Sequence, residues 1–142
     1  MTEGERITAS EDETVALGRE IARSLPRRAV VLLIGNLGAG KTTLAKGIVS
    51  ELTGTETEDV SSPTFTLIHE YGGGRVFHID LYRLETAEQV ATLGLDEIFD
   101  REVVVLIEWG ERFPELIPKD RYEIRLEATD DQRRIEIVKR GA

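Results

Sequence analysis

Gly35-Asn36-Leu37-Gly38-Ala39-Gly40-Lys41-Thr42, with Thr43 behind it, fits the phosphate-binding pattern G-x-x-x-x-G-K-[ST]. Its flanks agree. Ala29 to Ile34 is a continuous apolar run, as expected of a strand buried on both faces of a sheet. Beyond the loop, Leu44, Ile48 and Leu52 recur at helical spacing, and Gly54 supplies a stop signal. A glycine-rich turn that matched by chance would have no reason to carry both flanks. The stretch therefore joins a core strand to the start of a helix.

That placement dictates the chemistry expected of it. Glycines remove side chains, so that backbone N–H groups can point at phosphate oxygens. The helix adds the positive end of its dipole. Lys41 is expected to reach the β- and γ-phosphates, and the Thr42 hydroxyl to bind Mg²⁺. The candidate nucleotide-binding residues of the loop are Asn36, Leu37, Gly38, Ala39, Gly40, Lys41, Thr42 and Thr43.

The whole chain sets bounds around the loop. Its 142 residues suit one domain with a real core. At 40% hydrophobic and 32% charged residues it reads as a globular protein. No apolar run is long enough to span a bilayer, and Met1-Thr-Glu-Gly-Glu lacks the basic and apolar regions of a signal peptide. There is no cysteine, which excludes disulfides and cysteine–zinc sites. The expectation is a cytoplasmic protein without a membrane role. The formal charge of −9 would repel a phosphate backbone and argues against direct, tight nucleic-acid binding.

Along the chain, Arg6 to Ala9 reads as a short first strand. Ser10 and Glu13 form a capping box for a helix carrying Leu17, Ile21 and Leu25, which Pro26 ends. Gly54 to Ser62 is polar and reads as a loop. Thr66 to Tyr71 and Val76 to Tyr82 flank Gly72-Gly73-Gly74 and read as a hairpin. Thr86 with Gln89 opens a short helix closed by Gly94, and Leu95 to Phe99 adds another turn. Val103 to Ile107 is a second apolar core strand, followed by a proline-bounded connector from Phe113 to Pro118. Tyr122, Ile124 and Leu126 alternate with polar residues, and Ile135 and Ile137 repeat that alternation after a turn. The expected fold is a single α/β domain, a three-layer P-loop NTPase with a mixed parallel and antiparallel sheet. The strand order stays open.

A P-loop site needs a carboxylate at the end of a core strand. Glu108 follows the more apolar run and Asp80 the less apolar one, so two candidates compete. Glu108 is well placed if its strand is parallel. Trp109, the only tryptophan, stands beside it. Thr64 lies in a loop before a strand, like a switch threonine that meets Mg²⁺ or the γ-phosphate. Arg83 is either a transition-state cation or a surface residue. His69 and His78 lack further ligands for a metal and read as structural.

Gly35 to Thr43, Ser62-Pro-Thr-Phe65, His78-Ile-Asp-Leu-Tyr-Arg83 and Glu108-Trp109 occur in this order. As a set they resemble the TsaE (YjeE) family, the bacterial ATPases of tRNA threonylcarbamoyladenosine synthesis. The resemblance spans about residues 10 to 138. It implies ATP and Mg²⁺ as ligands and a partnership with TsaB and TsaD. It also implies a supporting role in forming threonylcarbamoyladenosine at position 37 of tRNAs that read A-starting codons, with tRNA met only through the complex. Carried onto this chain, it gives Lys41 and Thr42 the phosphate and metal roles and sets Thr43 beside the α-phosphate. Asp80 falls near the γ-phosphate, Glu108 at the metal or its water shell, and Trp109 in the same site. The adenine falls near Glu11, Thr14 and the Gln132-Arg133 turn. Phe65 stays aromatic where some relatives carry tyrosine.

The expected reaction is Mg²⁺-dependent ATP hydrolysis, slow in the isolated protein, because no clear arginine finger accompanies the phosphate cradle. No [NT]-K-x-D motif for guanine is present, which favours ATP over GTP. The rivals are a small-molecule kinase, for which no lid insertion is evident, and a nucleotide-gated binding switch that barely hydrolyses.

Overall fold

The apolar run Ala29–Ile34, buried up to its last residue, lies at the centre of a seven-stranded sheet. The structure is a computed structural model and describes residues 3–36 and 38–141. The elements are β1 (Gly4–Thr8), α1 (Glu11–Ser24), β2 (Ala29–Ile34), α2 (Lys41–Thr53), β3 (Ile68–Tyr71), β4 (Val76–Asp80), α3 (Ala87–Ala91), α4 (Leu95–Phe99), β5 (Val104–Glu108), β6 (Arg121–Ala128) and β7 (Arg133–Arg140). The strand order is β1-β7-β6-β2-β5-β4-β3. β6, β2, β5 and β4 form a parallel centre. Antiparallel partners flank it: β3 beside β4 at one edge, β7 and β1 beyond β6 at the other.

The two faces of the sheet carry separate cores, as the alternation of side chains along a strand requires. Val31 and Leu33 pack with Leu17 and Ile21 of α1 and with Leu44 and Ile48 of α2. Val30 and Leu32 face the other way, into a cluster with Phe77, Ile79, Val90, Phe99, Phe113 and Ile117. So α1 and α2 cover one face, while α3, α4 and the connector cover part of the other. This is the expected three-layer fold with a mixed sheet.

Several boundaries differ from the sequence reading, each for a local reason. The first strand is Gly4–Thr8, set by its pairing with β7 from Gly4↔Ile137 to Thr8↔Arg133. The strand expected from Thr66 begins at Ile68, because Leu67 is left-handed with φ 70° and its N–H turns back to the Pro63 carbonyl. β4 stops at Asp80 because Asp80 Oδ1 accepts the Tyr82 N–H at 2.8 Å and turns the chain. Gly94 does not close α3; it is the left-handed N-cap of α4, and α3 ends at Ala91. The 54–62 loop contains one 3-10 turn, Thr57–Asp59. The Thr86–Gln89 capping box is fully formed. At Ser10, the hydroxyl oxygen accepts the Glu13 N–H, but the Glu13 carboxylate takes the Ala9 N–H, one residue upstream of a reciprocal box.

α1 and α2 meet backbone to backbone. A Cβ on Gly47 would lie 2.1 Å from the Val15 carbonyl oxygen, and one on Gly18 would lie 2.4 Å from that of Leu44. Real Cβ atoms do not approach backbone oxygens so closely, so the two glycines set the helix separation. Gly47→Ala is expected to force the helices apart and lower stability by about 1–3 kcal/mol. Chemical denaturation of the variant checks this; an unchanged midpoint would show that the pair is not held this tightly.

Candidate functional site

Strand β2 delivers the glycine loop to the carboxyl ends of the parallel strands, where open α/β sheets bind ligands. Gly38 and Gly40 adopt φ 81° and 103°, conformations that glycine takes without a steric cost. Gly40 is the N-cap of α2, so the helix begins at Lys41. A Cβ on Gly35 would lie 2.6 Å from the Leu126 carbonyl oxygen, so the loop can pass β6 only with glycine there.

A cavity of about 460 Å³ opens above the loop. Gly38, Gly40, Lys41, Thr42 and Thr43 line it, together with Thr64, Asp80, Glu108 and Trp109. Glu11 and Thr14 from the start of α1, and Arg133 from the start of β7, also line it. Residues far apart in the sequence thus meet in one chamber. Asn36 and Ala39 are placed differently. They border a separate cleft behind the loop, and the Ala39 side chain is in the core under α2. Leu37 lies outside the described residues.

Asp80 and Glu108, rivals in the sequence, are register partners at the ends of β4 and β5. Both are buried. Because β4 is parallel to β5, the two carboxylates project from the same face at the same height. Asp80 Oδ2 accepts the Thr64 hydroxyl at 2.9 Å, while Oδ1 is held by the Tyr82 N–H. Glu108 Oε2 is 2.6 Å from His78 Nε2, and Oε1 is 4.0 Å from Lys41 Nζ.

Lys41 is buried, and its ammonium has no hydrogen-bond partner among the described residues. It sits 4.0 Å above the Trp109 ring, a cation–π contact that replaces little of its lost hydration. Burial holds its pKa below the ordinary lysine value, opposed in part by Glu108, Glu111 and Asp80. An ammonium in this state is a strong site for an arriving anion. Trp109 is itself left-handed at φ 67°, a conformation rare outside glycine, and its ring lies 5.1 Å from that of Tyr82.

The remaining candidates are partly committed elsewhere. The Thr14 hydroxyl donates to the Ser10 carbonyl and lies 2.7 Å from the Thr8 hydroxyl, pinning β1 to α1. The Arg133 side chain lies over Gly40. Arg83 is exposed outside the cavity, its guanidinium 5.3 Å from the centre of the Phe65 ring. Sequence reasoning missed three residues: His78 beneath Glu108, Tyr82 beside Trp109, and Glu111. His78 and Asp80 share one face of β4 by simple alternation. Pairing β4 with β5 would have brought His78 to Glu108, but that pairing is not readable from the chain.

A strand, a glycine loop and a helix, with acids ending the neighbouring parallel strands, make up the P-loop NTPase fold. Comparison with known proteins narrows this class. The family model for "Threonylcarbamoyl adenosine biosynthesis protein TsaE" matches residues 8–135. A TsaE protein of Bacillus subtilis is 40% identical over 131 residues, covering 90% of this chain and 80% of the relative. One from Rickettsia conorii is 38% identical over 128 residues, covering 89% and 72%. One from Nostoc is 46% identical over 112 residues, covering 75% and 67%. The crystal structure of YdiB from Bacillus subtilis superposes with a TM-score of 0.78 at 33% identity, covering 99% of this chain and 87% of that one. The chain belongs to the TsaE family of tRNA threonylcarbamoyladenosine biosynthesis proteins. No helix among the described residues is long and apolar enough to cross a membrane.

Glu111 supplies a test of the electrostatics. Burial pushes its pKa above the ordinary carboxylate value, and its Oε1 is buried without a partner among the described residues. A raised native pKa means that the folded state prefers the protonated form. The stability it contributes is complete below the ordinary value and is lost as pH rises through the raised one. Glu111→Gln is therefore expected to raise the melting temperature by a few degrees at about pH 7, with the gain vanishing near pH 4. Thermal melts across that range check the sign.

Proposed function

We propose that this chain binds ATP with Mg²⁺ in the cavity and hydrolyses it slowly, serving TsaB and TsaD in forming threonylcarbamoyladenosine on tRNA. The observation that carries this reading is the buried Lys41 ammonium, without a hydrogen bond, at the start of α2 beside two carboxylates. Such a group suits a phosphate anion. The two acids suit Mg²⁺, which takes one or two carboxylates plus phosphate oxygens and water. The same elements would serve a nucleotide of either base. The reading as ATP rests on the family resemblance and on the lack of a guanine motif.

In this reading the loop amides of residues 38–43 and the Lys41 ammonium hold the phosphates. Thr42 and Glu108 hold the metal, with Asp80 beside the γ-phosphate and Thr64 within reach through its bond to Asp80. Glu11, Thr14 and Arg133 border the part of the cavity assigned to the base. When bound, Mg²⁺ neutralises charge on the phosphates. What the chain does is orient them, exclude water and present fixed charge. Arg83 stands outside the cavity, so the cation for the transition state is assigned to the partner complex or to a rearranged loop. Contact with tRNA is indirect, in keeping with the charge of −9.

A second reading is favoured by one contact. The Thr64 hydroxyl ties the loop that bears Phe65, which is 82% exposed, to the acid of the site. A nucleotide that competes for Asp80 or Thr64 would release this loop. The protein would then act chiefly as a nucleotide-gated switch.

Turnover of ATP, measured alone and with TsaB–TsaD, is expected to be slow alone and faster in the complex. Equal rates would remove partner gating. Lys41→Ala is expected to lower turnover by a factor of about 10² or more. A Lys41→Ala protein as active as the parent would refute the site. Glu108→Ala that binds ATP, fails to hydrolyse it and still supports the modification would establish the switch reading.

A further inference from the structure

We propose that His78 is a positioning residue that holds the Glu108 carboxylate in place for the metal–nucleotide complex. The inference rests on the reading of the cavity as a site for ATP and Mg²⁺. His78 lies two residues before Asp80 on β4, its side chain on the same face, and it is 0% exposed. Away from the acids, its neighbours on that face are core aliphatics, Val76 on β4 and its register partner Leu106 on β5. A leucine or valine there would join that core without leaving a polar atom behind.

Histidine does leave one behind. Nδ1 is buried with no partner among the described residues, while Nε2 meets Glu108 Oε2 at 2.6 Å. An ionised carboxylate only accepts hydrogen bonds, so Nε2 carries the proton that is donated. Nδ1 stays unpaired in that arrangement, a cost that an aliphatic residue at this position would not carry. The whole polar capacity of His78 is spent on one oxygen of one acid.

The consequence lies at Glu108. A glutamate side chain turns about three bonds, and this one hangs from the last residue of β5 beside a buried cation. With Oε2 held from beneath, Oε1 stays 4.0 Å from Lys41, beyond hydrogen-bond length. Neither the free oxygen nor the ammonium is consumed by the other. Asp80 is fixed differently, by Thr64 and by its own turn, and makes no use of His78. The pair of acids therefore has two independent supports, one in a loop and one in the sheet.

The test compares the affinity for AMP-PNP in EDTA with that in Mg²⁺, by calorimetry, for the wild-type chain and three variants. His78→Leu has no donor, His78→Asn has one too short to reach Glu108, and His78→Gln carries an amide near the place of Nε2. His78→Leu and His78→Asn are expected to lose about tenfold of the gain in affinity that Mg²⁺ brings, while affinity in EDTA is kept. His78→Gln is expected to recover most of the loss. In a Glu108→Ala background, His78→Asn is expected to change nothing further. If His78→Leu does not fold, the contrast between Asn and Gln carries the test. A full Mg²⁺ gain in His78→Asn, an equal loss in EDTA and Mg²⁺, or a His78→Gln no better than Asn would each overturn the inference. A wild-type chain that gains nothing from Mg²⁺ would instead overturn the reading of the site itself, and the inference with it.

Discussion

A lysine ammonium and two carboxylates are buried together at the carboxyl ends of parallel strands, and the rest of the architecture makes that burial possible. Isolated charges are costly to take out of water, and partners recover the cost only when they are fixed in place. Here the fixing is done by backbone geometry. β4 and β5 are parallel and in register, so Asp80 and Glu108 end side by side. β2 lies on the other side of β5, and its loop swings Lys41 back over them. Gly38 and Gly40 take positive φ, and Gly35 lets the backbone pass β6 where a side chain would not.

The arrangement is incompletely neutralised in a directional way. Lys41 rests on an aromatic ring and lacks a hydrogen bond, and its pKa is depressed. Asp80 and Glu108 are each held by groups on the protein side, and they face the cavity. Fixed charges of both signs left in this condition suit the metal–phosphate complex of the proposed function. The left-handed Trp109 belongs to the same device. The residue after Glu108 turns back over Lys41 rather than continuing the strand, and the chain accepts an uncommon backbone conformation there.

Much of this was legible in the chain, and the parts that were not share a cause. Ala29–Ile34, Lys41–Thr53 and the P-loop between them were readable because one apolar run and one helical period bracket a glycine pattern. The two late strands were readable from alternation. The strand order was not, since β1 pairs with β7 and β2 with both β5 and β6, and nothing local encodes such partners. The competition between Asp80 and Glu108 had the same origin: each looked sufficient alone, and only the register shows that they stand together. His78 was read as an ordinary structural histidine because its partner lies thirty residues away in sequence. Strand ends were misjudged where a side chain or a left-handed residue cut the strand short, as at Asp80 and Leu67.

The pairing of the first strand with the last has a consequence for how the molecule is made. Thr8 lines the cavity where β1 docks on β7 and meets Thr14 of α1, and Arg133 lines it from the start of β7 itself. On a ribosome, β2, the glycine loop and α2 emerge early, yet the part of the lining that bears Arg133 waits for β7. Until β7 is synthesised and paired, β1 has no neighbour in the sheet. An emerging chain therefore carries the glycine loop and Lys41 before it has all the residues that line the chamber. Completion of the chamber is deferred to β7, the last strand among the described residues.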